Sequence, residues 1–239
     1  MTPNLHIYPS PELLAEALAD KLITFFDQHT APVFHVAISG GKTPNLLFTI
    51  LAGKYAHLPI WKNIHFWWVD ERMVPFEDDE SNYGTAHKLL FSRIDIPEEN
   101  IHPIKGENDP TAEALSYSHQ ISNSLPFSNG WPVFDLILLG MGDDGHTASI
   151  FPNQMQLLHS DQICKVAVYP QSGQKRITLT GPTINSALNI WFIVTGTAKA
   201  DRLKEIFSGN EPAKSIPAAN IMPLNGTLEW YVDKAAAGK

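Results

Sequence analysis

One recurring unit constrains this chain more than any other feature: a short apolar run that ends in a polar or glycine-rich tip. Residues 33–38 lead into Ser39-Gly40-Gly41, and residues 64–69 into Asp70-Glu71-Arg72. Residues 134–139 lead into Gly140-Met141-Gly142-Asp143-Asp144-Gly145-His146, and residues 190–195 into Thr195-Gly196-Thr197. Between these runs the spacing turns helical. Ser10-Pro11-Glu12 opens a helix with a capping hydroxyl and a proline at the first position, and Leu13, Leu14, Ala17, Leu18, Leu22 and Phe25 follow it. Further helices are expected at about 43–51, 82–91, 111–125, 183–188 and 198–207, and further strands at 163–169, 177–180 and 228–232. Ala235-Ala236-Ala237 reads as a frayed tail.

Strands alternating with helices predict an α/β fold: a mainly parallel, doubly wound, Rossmann-like sheet with helices on both faces. No repeat or linker divides the sequence, so residues 1–239 read as one domain. A parallel sheet binds ligands outside the carboxyl ends of its strands. The four polar tips would then converge on one edge, and that edge is the expected site.

Composition narrows the ligand. With 17 Lys+Arg against 25 Asp+Glu, the chain carries a formal charge of −8, which lacks the basic footprint of a nucleic-acid binder. A locally basic cleft can still take a small anion. The longest apolar stretches fall far short of the ~20 residues that span a bilayer, so no membrane is expected. The first 14 residues lack the basic and apolar regions of a secretory signal. A single cysteine, Cys164, permits no internal disulfide. A cytoplasmic protein is expected, and no metal site is suggested by the spacing of His, Cys, Asp or Glu.

Three tips carry chemistry. In Ser39-Gly40-Gly41-Lys42-Thr43-Pro44, consecutive glycines before a helix allow backbone N–H groups to approach an anion. The same letters also fit a tight turn with Thr43 as cap and Pro44 at the first helical position. The spacing is not that of a P-loop, and Ser39 is not in a nucleophile elbow. Gly140-x-Gly142-x-x-Gly145 matches a dinucleotide fingerprint, but Pro152 arrives seven residues later, where a long helix should run, and Asp161 is misplaced for a ribose contact. Asp144-Gly145-His146 sets a carboxylate two residues from an imidazole, which can fix the ring's tautomer for proton transfer or cap a local turn. His35 and His65 on strands, and His87 and His119 on helices, read as structural or solvated.

Taken together, Ser39-Gly40-Gly41-x-Thr43-Pro44, Trp68-Val69-Asp70-Glu71-Arg72, Ser81-Asn82, Gly140-x-Gly142-x-Asp144-Gly145-His146-Thr147-Ala148-Ser149-x-Phe151-Pro152, Arg176-Ile177-Thr178-Leu179-Thr180 and Gly196-x-Ala198-Lys199 resemble the 6-phosphogluconolactonase family, within the wider glucosamine-6-phosphate isomerase/lactonase group. The resemblance implies hydrolysis of 6-phospho-D-glucono-1,5-lactone, the second step of the oxidative pentose phosphate pathway, with no required cofactor. It implies a phosphate site at Gly40, Gly41, Thr43, Arg176 and Lys199. It further implies His146 as general base with Asp144 behind it, Arg72 at the developing oxyanion or orienting the sugar, and Asp70 on sugar hydroxyls or positioning Arg72. The partner is then a sugar-phosphate lactone, and the chain a monomer or small homo-oligomer. The alternatives are an isomerase/deaminase of the same group and a non-catalytic sugar-phosphate sensor. The isomerases carry an acid seven residues after the shared aspartate, where this chain has Phe151. The sensor is disfavoured by the intact Asp144/His146 pair.

Overall fold

The structure is a computed structural model that describes residues 4–28 and 32–239. In chain order it contains β1 (Asn4–Tyr8), α1 (Pro11–Gln28), β2 (Phe34–Ile38), α2 (Lys42–Lys54), β3 (Ile64–Trp68), β4 (Asp70–Arg72), α3 (Asn82–Leu89), β5 (Ile101–His102) and α4 (Pro110–Ser124). There follow β6 (Phe127–Ser128), β7 (Trp131–Pro132), β8 (Leu136–Leu139), β9 (Cys164–Val168), β10 (Lys175–Leu179), α5 (Gly181–Asn185), β11 (Asn189–Val194), α6 (Ala200–Ser208) and β12 (Thr227–Asp233).

The seven-stranded main sheet has the order β1-β12-β11-β8-β2-β3-β5, and every neighbouring pair is parallel. From β2 the chain winds outward through β3 to β5. From β8 it winds the other way, through β11 to β12. Right-handed crossovers then put the two sets of helices on opposite faces. The expected α/β architecture is the one observed. The reversal falls between β2 and β8, which pair through Val36 with Leu136 and Ala37 with Ile137. Strands buried on both faces need no alternation, and β2 and β8 are buried throughout.

Several sequence expectations are corrected. Asp70-Glu71-Arg72 is not a loop tip. After Val69, whose N–H still bonds the Ile38 carbonyl at 3.0 Å, the chain leaves the main sheet and forms the edge of a second, antiparallel sheet of order β4-β10-β9. The runs expected at 163–169 and 177–180 form the other two strands of that sheet instead of joining the parallel one. Helix α2 begins at Lys42 with Gly41 as its N-cap at φ 117°, a left-handed value open to glycine, so Thr43 is not the cap and Pro44 is the third helical residue. A proline in the first turn still costs no intrahelical bond. The tail is not frayed. Ala236 is fully buried, because the Asp233 carboxylate at the end of β12 accepts both the Ala236 N–H at 2.7 Å and the Gly196 N–H at 3.0 Å. Leu13, expected on the buried face of α1, is exposed, and Ala15, Ala19 and Ile23 take the inner positions.

On the β2–β3–β5 side, three histidines gather across neighbouring strands. His35 and His65 are in register with rings 5.3 Å apart, and His65 Nδ1 lies 2.9 Å from His102 Nε2. The His35 ring accepts the Trp67 indole N–H at 3.2 Å, and His102 stacks on that indole at 3.9 Å. Their role is structural, as expected for His35 and His65. Burial, then the neighbouring histidines, push both His35 and His102 down to about 4. The unfolded chain takes up these protons near 6.5, so between pH 6.5 and 4 it binds more protons than the native state and stability falls with falling pH. The prediction is comparative. His102→Phe, which keeps an aromatic ring on Trp67, should lose less melting temperature than the parent between pH 7 and pH 5. Parallel melting curves with the same slope would remove the histidines from the acid response.

Candidate active site

At the switch between β2 and β8 a cleft of about 290 Å³ opens at the carboxyl edge of the sheet. All four predicted tips reach it: Ser39 to Thr43 after β2, Asp70 and Arg72 on β4, Gly140 to Gly142 and His146 after β8, and Thr195 and Lys199 after β11. Arg176 from β10 and Asn82 from α3 complete the wall. The cleft thus brings together His146, Asp70, Arg72, Gly40, Gly41, Thr43, Arg176 and Lys199. Asp144 does not line it but stands behind His146.

The loop after β8 is built to hold one imidazole. Its backbone closes on itself, with Gly142 N–H to the His146 carbonyl at 2.8 Å and Gly145 N–H to the Gly142 carbonyl at 3.0 Å. Asp144 Oδ1 accepts the His146 backbone N–H at 3.0 Å and lies 2.6 Å from His146 Nδ1. Asp144 therefore caps the turn and contacts the ring, and His146 is half-buried rather than exposed. Burial would raise the Asp144 carboxyl, but the hydrogen bonds from His146 outweigh it and hold the group below its usual range. With Nδ1–H directed to a carboxylate, Nε2 is left as the basic nitrogen. The ring packs on Phe151 at 4.8 Å. Phe151 is fully buried, so an apolar ring fills the position where an isomerase would need an acid.

Downstream, Ala148 is held at φ 49°, a left-handed strain costing roughly 1–2 kcal/mol. Its neighbours pin it: Thr147 Oγ1 donates to the Gly140 carbonyl at 2.8 Å, and Ser149 N–H donates to Thr178 Oγ1 at 3.1 Å. Ser149 Oγ in turn donates to Asp70 Oδ2 at 2.6 Å. Asp70 is thereby fixed from β8's loop, and its carboxylate makes no hydrogen bond to Arg72. The Arg72 guanidinium instead donates through Nη1 to the Glu80 carbonyl at 2.5 Å.

Cations stand on two sides of the imidazole. Lys199 pairs with Asp143, and nearby Thr43 Oγ1 and Thr195 Oγ1 are 2.7 Å apart, joining the tips of β2 and β11. On the other side Arg176 and Arg72 are cross-strand partners. The carboxyl-edge rule could not locate Arg176, because its strand belongs to the second sheet. Its guanidinium lies 4.6 Å from the Tyr169 ring and 5.6 Å from Phe151. Burial pulls its pKa down, Asp70 opposes this, and Arg72 adds to it. Both arginines carry a buried Nε without a hydrogen-bond partner. Two paired guanidiniums with spare donors make an anion-seeking wall.

Sequence reasoning missed Lys42 on the rim, and it gave no role to Asn82, Ser149 or Glu71. Strand alternation held the signal for Glu71: if Asp70 and Arg72 share the cleft face, the residue between them must point into the protein. Among the described residues no three His, Cys, Asp or Glu side chains converge as a metal-binding set, and no helix is long and apolar enough to cross a membrane.

Fold and cleft are those of an α/β enzyme. Residues 9–230 match the model of the glucosamine-6-phosphate isomerases/6-phosphogluconolactonase family. The 6-phosphogluconolactonase of Haemophilus influenzae is 47% identical over 98% of both chains. The crystal structure titled devB protein superposes with a TM-score of 0.92 at 44% identity, covering 98% of each chain. A 6-phosphogluconolactonase structure from Trypanosoma brucei superposes with a TM-score of 0.87 at 26% identity, covering 99% of this chain and 98% of that one. The chain belongs to the glucosamine-6-phosphate isomerase/6-phosphogluconolactonase family.

A Cβ on Gly142 would collide with the His146 ring and approach Asp144 Oδ1. Gly142→Ala should therefore turn the imidazole away from Asp144 while the core stays intact. A crystal structure of the variant and its melting curve check this. An unmoved ring would mean the loop has slack that the contact distances do not suggest.

Proposed function

We propose that this chain hydrolyses 6-phospho-D-glucono-1,5-lactone to 6-phospho-D-gluconate, the second step of the oxidative pentose phosphate pathway. The observation that carries the reading is the Asp144–His146 pair at the cleft, backed by buried Phe151 instead of a second acid. A lactonase needs one group that takes a proton from water and returns it to the leaving oxygen. Moving a proton between carbons, as the isomerases do, needs more. The 47% identity to a 6-phosphogluconolactonase supports the same choice. A cytoplasmic setting accompanies the reading, in keeping with the single, buried thiol of Cys164.

His146 Nε2 takes a proton from water as the oxygen attacks the lactone carbonyl. Asp144 keeps the ring oriented and stabilises the imidazolium that forms. The carbonyl oxygen gains negative charge beside the Arg72 guanidinium, which lines the cleft. The tetrahedral intermediate then collapses. The ring C–O bond breaks, and His146 returns the proton to the departing sugar oxygen, leaving the open-chain carboxylic acid, which loses its proton to solvent and becomes the carboxylate. Asp70 takes sugar hydroxyls. The phosphate is assigned to the Gly40 and Gly41 amides, Thr43, Lys199 and Arg176, with the N-terminus of α2 adding favourable partial charge.

Four outcomes are expected. His146→Gln should lower kcat by about 10²–10⁴-fold with little change in lactone binding, and Lys199→Ala should mainly raise KM. Gluconolactone without its phosphate should have a kcat/KM at least ~100-fold lower, since two or more charge-assisted contacts are lost. Glucosamine 6-phosphate should release no ammonia above background. Rates must be corrected for spontaneous lactone hydrolysis. A folded His146→Gln enzyme with near-normal kcat would assign the base elsewhere, with Asp70 the next residue to test.

A further inference from the structure

Glu71 sits between two cleft residues and never touches the cleft. The three residues of β4 alternate, so Asp70 and Arg72 face the substrate side and Glu71 faces inward, 1% exposed. An inward position in a short strand is ordinarily apolar, and an ionisable residue there is seldom without a partner. Among the described residues no cation pairs with it. Its two oxygens instead accept four donors. Oε1 takes the N–H groups of Arg72 and Asn82, both at 2.8 Å, and Oε2 takes the Tyr83 N–H at 2.7 Å and Ser81 Oγ at 3.4 Å. The Asn82 and Tyr83 N–H groups are the first two of α3, which have no intrahelical acceptor and form the positive end of its dipole.

The contacts that leave this carboxylate run straight to the cleft walls. Asn82, held by its backbone on Glu71, donates its side-chain Nδ2 to the Asp70 carbonyl at 2.9 Å. Its amide lies where a side chain on Gly40 would have to go, so it packs on the glycine loop after β2. Arg72 is held by its own N–H on Oε1, while its guanidinium is tied to the Glu80 carbonyl. One inward carboxylate therefore joins β4, the start of α3 and, through Asn82, the loop after β2.

We propose that Glu71 is a positioning residue of the active site: its carboxylate clamps β4 onto α3 and so sets where Arg72, Asp70 and Asn82 meet the substrate. This rests on the lactonase reading. The clamp is strongest as a carboxylate, because three of its four partners are backbone N–H groups that can only donate, and a protonated oxygen gives up acceptor strength toward them. Burial, opposed by the three backbone N–H groups and aided by Asp70, pushes its pKa up to about 7. Besides Asp70 and Arg72 on its own strand, Tyr83 and His87 lie on α3, Lys175 and Arg176 lie on β10 about its register partner Ile177, and Tyr117 of α4 senses its charge. As pH falls through about 7, the clamp loses an acceptor and Arg72 loses its fixed place.

The test is kcat/KM for the lactone from pH 6 to pH 8 in the parent, Glu71→Gln and Asn82→Ala, with a melting curve for each. Glu71→Gln keeps the shape but sets an NH₂ against the donors, as protonation would. At pH 8 it should lose about 10–100-fold, the scale of a misplaced substrate group, and the loss should shrink toward pH 6. A variant-to-parent ratio constant with pH, or a folded variant with parental kcat/KM at pH 8, overturns the proposal. Should Glu71→Gln fail to fold, Asn82→Ala decides: a lower kcat/KM is expected, and an unchanged one overturns it. If the parent itself does not turn over the lactone, it is the lactonase reading that falls.

Discussion

The reversal of strand order between β2 and β8 is the constraint on which the rest of this molecule depends. A sheet buried on both faces can offer chemistry only at its edge, and a reversal parts the helices and opens that edge into a crevice. The two loops that follow β2 and β8 lie side by side there, one glycine-rich and leading into α2, the other coiled around His146. Every other wall of the cleft is brought to this line: the tip of β11 from one flank, and the small antiparallel sheet from the other.

The small sheet makes an otherwise generic crevice particular. Leaving the main sheet at Val69 lets a three-residue strand bring Asp70 and Arg72 over the opening, and β10 then adds Arg176 directly opposite Arg72. Two guanidiniums side by side repel each other. They are held by aromatic rings under Arg176, by the Glu80 carbonyl on Arg72 and by the nearby Asp70 carboxylate. The arrangement stores positive potential on one side of the imidazole while the surface as a whole remains acidic.

Much of this was legible in the residues. Apolar runs bounded by Gly, Asp and Thr located the main strands, and the polar tips located the site, because burial and backbone geometry leave local marks in sequence. What was not legible depends on pairing between distant segments. Nothing in Asp70-Glu71-Arg72 says that it pairs with residues a hundred positions later, so it reads as a loop. The two-residue β5 is too short to leave a periodic signal, and the buried Ala236 is held by one carboxylate at the end of β12. Thr43 looked like a cap because the letters fit. Glycine at position 41 took that place and freed the hydroxyl for Thr195.

The ion pair between Lys199 and Asp143 bears on what the cleft refuses. Asp143 is well exposed, whereas the lysine is mostly covered, so the cation is neutralised by a partner that can swing into water. An anion arriving at Lys199 trades places with that carboxylate, and its gain is the difference between two charge-assisted contacts. On the proposed reading, inorganic phosphate makes this exchange without the contacts of a sugar. A sugar phosphate makes the same exchange while its hydroxyls and carbonyl engage the far wall. On that reading a bare anion gains less from the exchange than a sugar phosphate does, and discrimination rests on a charge already spoken for.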